Sequence, residues 1–142
     1  MEDEILLVEE LKHKNIMFFD GDCNLCNRTV RFYMKRNKKK TMYFSSLQSI
    51  TGQAFLKDNQ LSSNNFDTIY LYSKGELFCK STAILRGLAE IDRPYSLLKV
   101  FTLIPVKFRD MIYDVISRHR LRIFRNQTKC NLINADLNNI ID

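Results

Sequence analysis

Ile16-Met17-Phe18-Phe19-Asp20-Gly21-Asp22-Cys23-Asn24-Leu25-Cys26 is the stretch on which the fold turns. Its first four residues are apolar and stop abruptly at Asp20-Gly21-Asp22, the pattern of a buried strand running into a glycine turn. Beyond the turn, Cys26, Val30, Tyr33 and Met34 recur at i, i+4, i+7 and i+8, with Arg28, Arg31 and Lys35 between them. That period predicts an amphipathic helix, which ends in the Asn37 to Lys40 run. A close pair of cysteines therefore sits where a strand meets a helix.

Working outward, Thr41 to Ser45 carries the β-branched and aromatic content of a second strand, and a short helix is expected around Thr51 to Lys57. A strand-helix-strand unit makes the two strands parallel. Thr68 to Tyr72 and Leu77 to Cys79 flank the turn residues Ser73-Lys74-Gly75-Glu76 and read as a hairpin. Ser81 or Thr82 is placed to cap a helix whose apolar positions are Ile84, Leu85, Leu88 and Ile91, ending before Arg93-Pro94. The expected class is α/β, with a β-α-β-α-β-β-α core around a mixed four-stranded sheet, which is the minimal thioredoxin-like arrangement. Tyr95 to Leu103 and Val106 to Ser117, separated by Ile104-Pro105, predict a C-terminal helical extension that runs through the basic Arg118 to Arg125 segment into an Asn-rich tail. The expectation is one domain over 1–142, with an arm or helix over 1–15, the core over 16–92 and the extension over 93–142.

Composition narrows the class. The 142 residues include 22 Lys and Arg against 16 Asp and Glu, a net charge of +6, with 45% hydrophobic content, 4 Gly and 2 Pro. Such a chain is neither disordered nor collagen-like and has apolar material for one core. No run approaches the roughly 18 to 20 apolar residues of a membrane span. The acidic start Met1-Glu2-Asp3-Glu4 is unlike a secretory signal, so the cytosol is the expected compartment.

Cysteines at 23, 26, 79 and 130 do not make a disulfide scaffold, and a close pair in a reducing compartment points to redox chemistry or metal binding. A two-residue spacing lets both sulfurs approach across one helical turn, so a disulfide can open and close without moving the fold. Cys23, at the expected helix start, is the candidate nucleophile, because unpaired backbone N–H groups and the helix dipole stabilise a thiolate there. Cys26, on the apolar stripe, is the candidate resolving thiol. Asp20, if buried, can accept a proton from Cys26, whereas Asp22 beside Cys23 opposes thiolate formation. Cys79 is expected to be a buried strand residue and Cys130 a partly covered tail residue, while His13 and His119 are expected at the surface.

Rival readings of the same residues are weaker. A zinc site needs about four N or S ligands, and Cys79, Cys130, His13 and His119 are not paired at ligand spacing. Asp20 and Asp22 also resemble the strand-Asp-X-Asp-X-Thr motif of haloacid-dehalogenase-type phosphatases, but Asn24 stands where that motif has Thr, and no later strand ends in paired acids. Lys38 to Lys40 read as a solubilising helix end, and no nucleic-acid partner is expected. The basic 118–129 segment leaves peripheral contact with anionic lipid or an acidic partner open.

Phe19-Asp20-Gly21-Asp22-Cys23-Asn24-Leu25-Cys26 resembles the signature of the DCC thiol-disulfide oxidoreductase family, whose members look thioredoxin-like. The resemblance runs from about residue 16 through Ser81-Thr82-Ala83 and the pattern Pro105-X-X-X-Arg109-Asp110-X-X-Tyr113 to Arg118 and Arg120, and Cys130 also fits. It implies dithiol–disulfide exchange by Cys23 and Cys26 with a disulfide-containing protein or small-thiol client and an electron donor, and no cofactor. The alternative is a non-catalytic thioredoxin-like binding module.

Two features depart from the wider thioredoxin pattern. Asn65-Phe66-Asp67-Thr68 stands where the cis-proline before the third core strand is usual, and the Trp that often precedes the cysteine pair is absent. Arg109, Asp110 and Tyr113 lie on neighbouring turns of one predicted helix. They read either as a packing network or as side chains that the extension delivers to the cysteine site.

Overall fold

The computed structural model describes residues 9–10, 12–21, 24–62, 68–91 and 95–123. Asp22, Cys23 and Cys130, together with most of the 1–15 arm and of the Asn65 to Thr68 stretch, lie outside them. The chain runs β1 (Asn15–Phe19), α1 (Asn24–Arg36), β2 (Met42–Ser46), α2 (Ile50–Asp58), β3 (Tyr70–Ser73), β4 (Glu76–Cys79), α3 (Lys80–Glu90), a 3-10 helix (Tyr95–Leu103) and α4 (Val106–Ile123). This is the expected β-α-β-α-β-β-α order with a helical extension.

The four strands form one sheet in the order β2-β1-β3-β4. β1 pairs with β2 in parallel, β3 lies antiparallel to β1, and β4 lies antiparallel to β3. β1 is central, and its successive side chains enter opposite cores, as strand geometry requires. Met17 and Phe19 join Val30, Tyr33, Phe44, Leu71 and Ala83 beneath α1 and α3. Ile16 and Phe18 join Leu47, Phe55 and Leu56 beneath α2. The architecture is therefore a mixed sheet with helices on both faces, consistent with a thioredoxin-like fold. The continuous apolar run 16–19 has this two-sided burial as its cause, with Ile16 and Met17 fully buried.

Close approach of the helices depends on two glycines. A Cβ on Gly52 would lie 2.1 Å from the Ser46 carbonyl oxygen, so only glycine lets the first turn of α2 sit on the end of β2. There Ser49 caps the helix by accepting a hydrogen bond from the Gly52 amide at 3.0 Å. Phe18 and Phe55 then stack with ring centroids 3.9 Å apart. On the other face, a Cβ on Gly87 would come within 2.8 Å of Met17 Cε. The β3–β4 turn places Lys74 at φ 52 and Gly75 at φ 80, the two positive values that a tight two-residue hairpin needs.

Several local expectations are corrected. Cys79 is exposed, with a free thiol, because β4 is the edge strand and Cys79 ends it. Neither Ser81 nor Thr82 caps α3. That helix starts at Lys80 with Cys79 at the cap position and no side-chain cap bond, and both hydroxyls instead meet α4. Asn37 is buried and more than a helix terminator: its amide donates to Met42 O at 2.8 Å and accepts from the Thr41 and Met42 amides at 3.1 and 3.3 Å, templating the passage from α1 to β2. His13 and His119 are exposed, as expected.

Candidate functional site

The site lies where β1 and β2 end side by side. Their parallel register sets Phe19 against Ser46, so the residues that follow each strand emerge at the same edge of the sheet, where α/β folds commonly build sites. Leu47 donates its amide to Phe19 O at 2.8 Å and extends the pairing one step further. From there the chain delivers Asp20 and Gly21 from one strand and Gln48 from the other.

Gln48 joins these two ends. Its amide nitrogen donates to Asp20 Oδ1 at 2.6 Å, and its Oε1 accepts from the Gly21 amide at 2.9 Å and from Ser46 Oγ at 2.6 Å. Ser46 Oγ accepts in turn from the Gln48 amide at 3.2 Å. Asp20 is 8% exposed, so its carboxylate is held in a largely dry position with a polar partner, as a buried acid requires. A Cβ at Gly21 would lie 2.7 Å from Ser46 Oγ and 3.2 Å from Gln48 Oε1, so a larger residue would push both side chains out of this arrangement.

On the far side of the turn, Cys26 lies in the first turn of α1 at 6% exposure, in the same buried cluster as Phe19, Val30 and Ile69. Asn27 donates to the Gly21 carbonyl at 3.0 Å and ties the helix back to the strand end, while its own Oδ1 is buried with no hydrogen-bond partner. Asp20, Gly21, Cys26 and Asn27 are thus assembled on one β1–α1 junction. Asp22 and Cys23 fall in that junction by sequence and lie outside the described residues. Among the described residues, no three His, Cys, Asp or Glu side chains come together as a metal-ligand set.

Arg109, Asp110 and Tyr113 form a single docking network. Arg109 is buried and donates from Nε to Ile104 O at 2.9 Å and from a terminal nitrogen to Thr82 Oγ1 at 3.4 Å. Asp110 accepts a short hydrogen bond from Ser81. Tyr113 Oη accepts from the Ile69 amide at 3.1 Å. Lys80 Nζ lies 3.0 Å from Asp114, whose carboxylate holds the ammonium above the usual lysine range. Ile69, just before β3, shares its core cluster with Cys26, so Tyr113 fixes the backbone of a residue packed in the cysteine's own cluster.

Gln48 was not among the residues that sequence reasoning selects. Its signal, such as it is, lies in the parallel pairing, which brings the residues after β2 out at the same sheet edge as Asp20 and Gly21.

Residues 17–126 match the DCC1-like thiol-disulfide oxidoreductase family. The uncharacterized protein YuxK of Bacillus subtilis (strain 168) is 37% identical over 117 residues, covering 82% of this chain and 85% of the relative. A chloroplastic DCC family protein of Arabidopsis thaliana is 30% identical over 118 residues, covering 82% of this chain and 69% of the relative. No solved structure gives a significant match. Because the match runs from within β1 past the end of α4, taking in both the β1–α1 junction and the helix that docks behind it, this chain belongs to the DCC1-like thiol-disulfide oxidoreductase family.

Proposed function

We propose that the protein exchanges a Cys23/Cys26 dithiol with a client disulfide. The Cys23 thiolate attacks one sulfur of the client, forming a mixed disulfide and expelling the other client sulfur as a thiolate. Cys26 then attacks Cys23 and releases the second client thiolate, so the client gains two electrons and the protein ends as the Cys23–Cys26 disulfide. The Cys26 proton passes to Asp20 and from there to the departing thiolate. A small thiol or a second dithiol protein returns the pair to the reduced form, and the same steps in reverse oxidise a client.

The observation that carries this reading is the burial of Cys26 at the strand-helix junction. A thiol only 6% exposed cannot meet a bulky client sulfur directly, which suits the resolving role. Gln48 acts as a positioning residue for Asp20. Tyr113 acts on the site by fixing the Ile69 backbone before β3, with Arg109 and Asp110 holding its helix against Thr82 and Ser81. Asp22, next to Cys23 in sequence, tempers that thiol's acidity.

Cys26→Ser is expected to trap a Cys23-linked mixed disulfide with an oxidised client peptide, visible by mass spectrometry, and Cys23→Ser to abolish exchange. Equal residual exchange in both variants would overturn the assignment and leave the fold as a binding module.

A further inference from the structure

α4 docks in the reverse of the usual sense. An amphipathic helix on a protein surface normally turns its apolar stripe to the core. Here the inward side is polar, with Arg109, Asp110, Tyr113 and Asp114 bonded to Thr82, Ser81, the Ile69 amide and Lys80. The apolar side is therefore left outside. Phe108 is 60% exposed, and Met111, Ile112 and Val115 are exposed with it.

The 3-10 helix, which precedes α4 and packs on the same α3, is also apolar outward. Leu103 is 82% exposed, and Leu97, Val100 and Phe101 are also open to solvent. Twelve large apolar side chains between Leu97 and Ile116 are exposed, whereas among the described residues only Ile50 and Leu77 are so elsewhere. Exposed apolar side chains in that number on two consecutive elements mark an interaction surface.

Charge selects the occupant. From 97 to 119 the exposed charged residues are Lys99, Lys107 and Arg118, and the Asp114 side chain, 38% exposed, lies beside Lys107 and Arg118. The two acids of this span are committed to Ser81 and Lys80. The sequence then adds Arg120, Arg122 and Arg125. A second copy placed face to face would oppose these cations to each other, with the two acids of the span already held by Ser81 and Lys80. An anionic bilayer satisfies both halves of the surface, since apolar side chains enter the acyl boundary while Lys and Arg meet the headgroups. No helix among the described residues is long and apolar enough to cross a membrane, so the geometry is that of a helix lying on the surface.

We propose that the 3-10 helix and α4 together form a docking face for an anionic lipid bilayer. This inference stands apart from the redox reading, because none of its exposed residues belongs to the cysteine site.

The test is co-sedimentation of the full chain with vesicles of equal parts phosphatidylglycerol and phosphatidylcholine, against pure phosphatidylcholine. Binding to the anionic vesicles is expected to be tighter by at least roughly tenfold and to weaken as salt is added. Phe108→Asp with Met111→Asp is expected to lower it about tenfold or more with an unchanged thermal melt, and Lys107→Glu with Arg118→Glu to erase the preference for anionic lipid. Absence of binding to the anionic vesicles, or equal binding to both compositions, would overturn the proposal. So would a dimer in lipid-free sedimentation velocity that the Phe108/Met111 variant dissociates, which would assign the face to a second copy.

Discussion

Gln48 and Asp20, 28 positions apart in sequence, meet at 2.6 Å at the shared end of two parallel strands. The same glutamine receives the Gly21 amide, so one side chain sets both the carboxylate and the backbone that leads into the cysteine pair. Gln48→Leu keeps the side chain's bulk and removes its bonds to Asp20, Gly21 and Ser46. Losing the Gln48 bond to the buried Asp20 carboxylate costs about 1–3 kcal/mol, whereas the Gly21 amide lies where water can take the place of Gln48. The expected result is a stability loss of that order by urea titration, together with slower thiol-disulfide exchange. An unchanged urea midpoint would show that water replaces the clamp without cost.

Tyr113→Phe isolates the link between the helical extension and β3. It removes only the hydroxyl that accepts the Ile69 amide, at a residue that is 3% exposed. The expected loss is about 1–3 kcal/mol. The specific readout is amide hydrogen exchange at Ile69, which is expected to quicken while amides in β1 keep their protection. Uniform loss of protection across the sheet would instead mark Tyr113 as a general stabiliser of the fold.

Tyr33 carries a pH dependence. Its hydroxyl donates to Ile84 O at 2.6 Å, and burial pushes the phenol above its ordinary range. A pKa raised by folding favours the neutral phenol in the native state. Its stabilising contribution is therefore complete below the unfolded value of about 10 and is lost as pH rises above it. Tyr33→Phe is expected to cost about 0.5–1.5 kcal/mol near neutrality from the lost hydrogen bond, and to flatten the alkaline fall in stability measured by urea midpoints. Burial shifts Tyr70 in the same direction, so a smaller slope persists in the variant.

The strands and helices, their order and the place of Cys26 in the first turn of α1 were legible in the sequence because each depends on local periodicity. The run 16–19, the i, i+4, i+7 stripe of α1 and the Lys74-Gly75 turn state their conformations within a few residues of themselves. The Asp20, Cys23 and Cys26 pattern is equally local, and with the downstream Pro105-X-X-X-Arg109-Asp110-X-X-Tyr113 it sufficed to indicate the family.

Long-range packing alone settles which residues meet across the chain and which face each element turns inward. Gln48 reaches Asp20 only because β1 and β2 are parallel and in register. Cys79 is open to solvent because its strand lies at the edge of the sheet, and Ser81 and Thr82 meet α4 in place of capping their own helix. α4 is the clearest instance. Its sequence period declares a helix with an apolar side, and nothing in that period says that the polar side packs on α3. The hydrogen bonds of Arg109, Asp110 and Tyr113 decide it, and they exist only once α3 and the segment before β3 have been brought together.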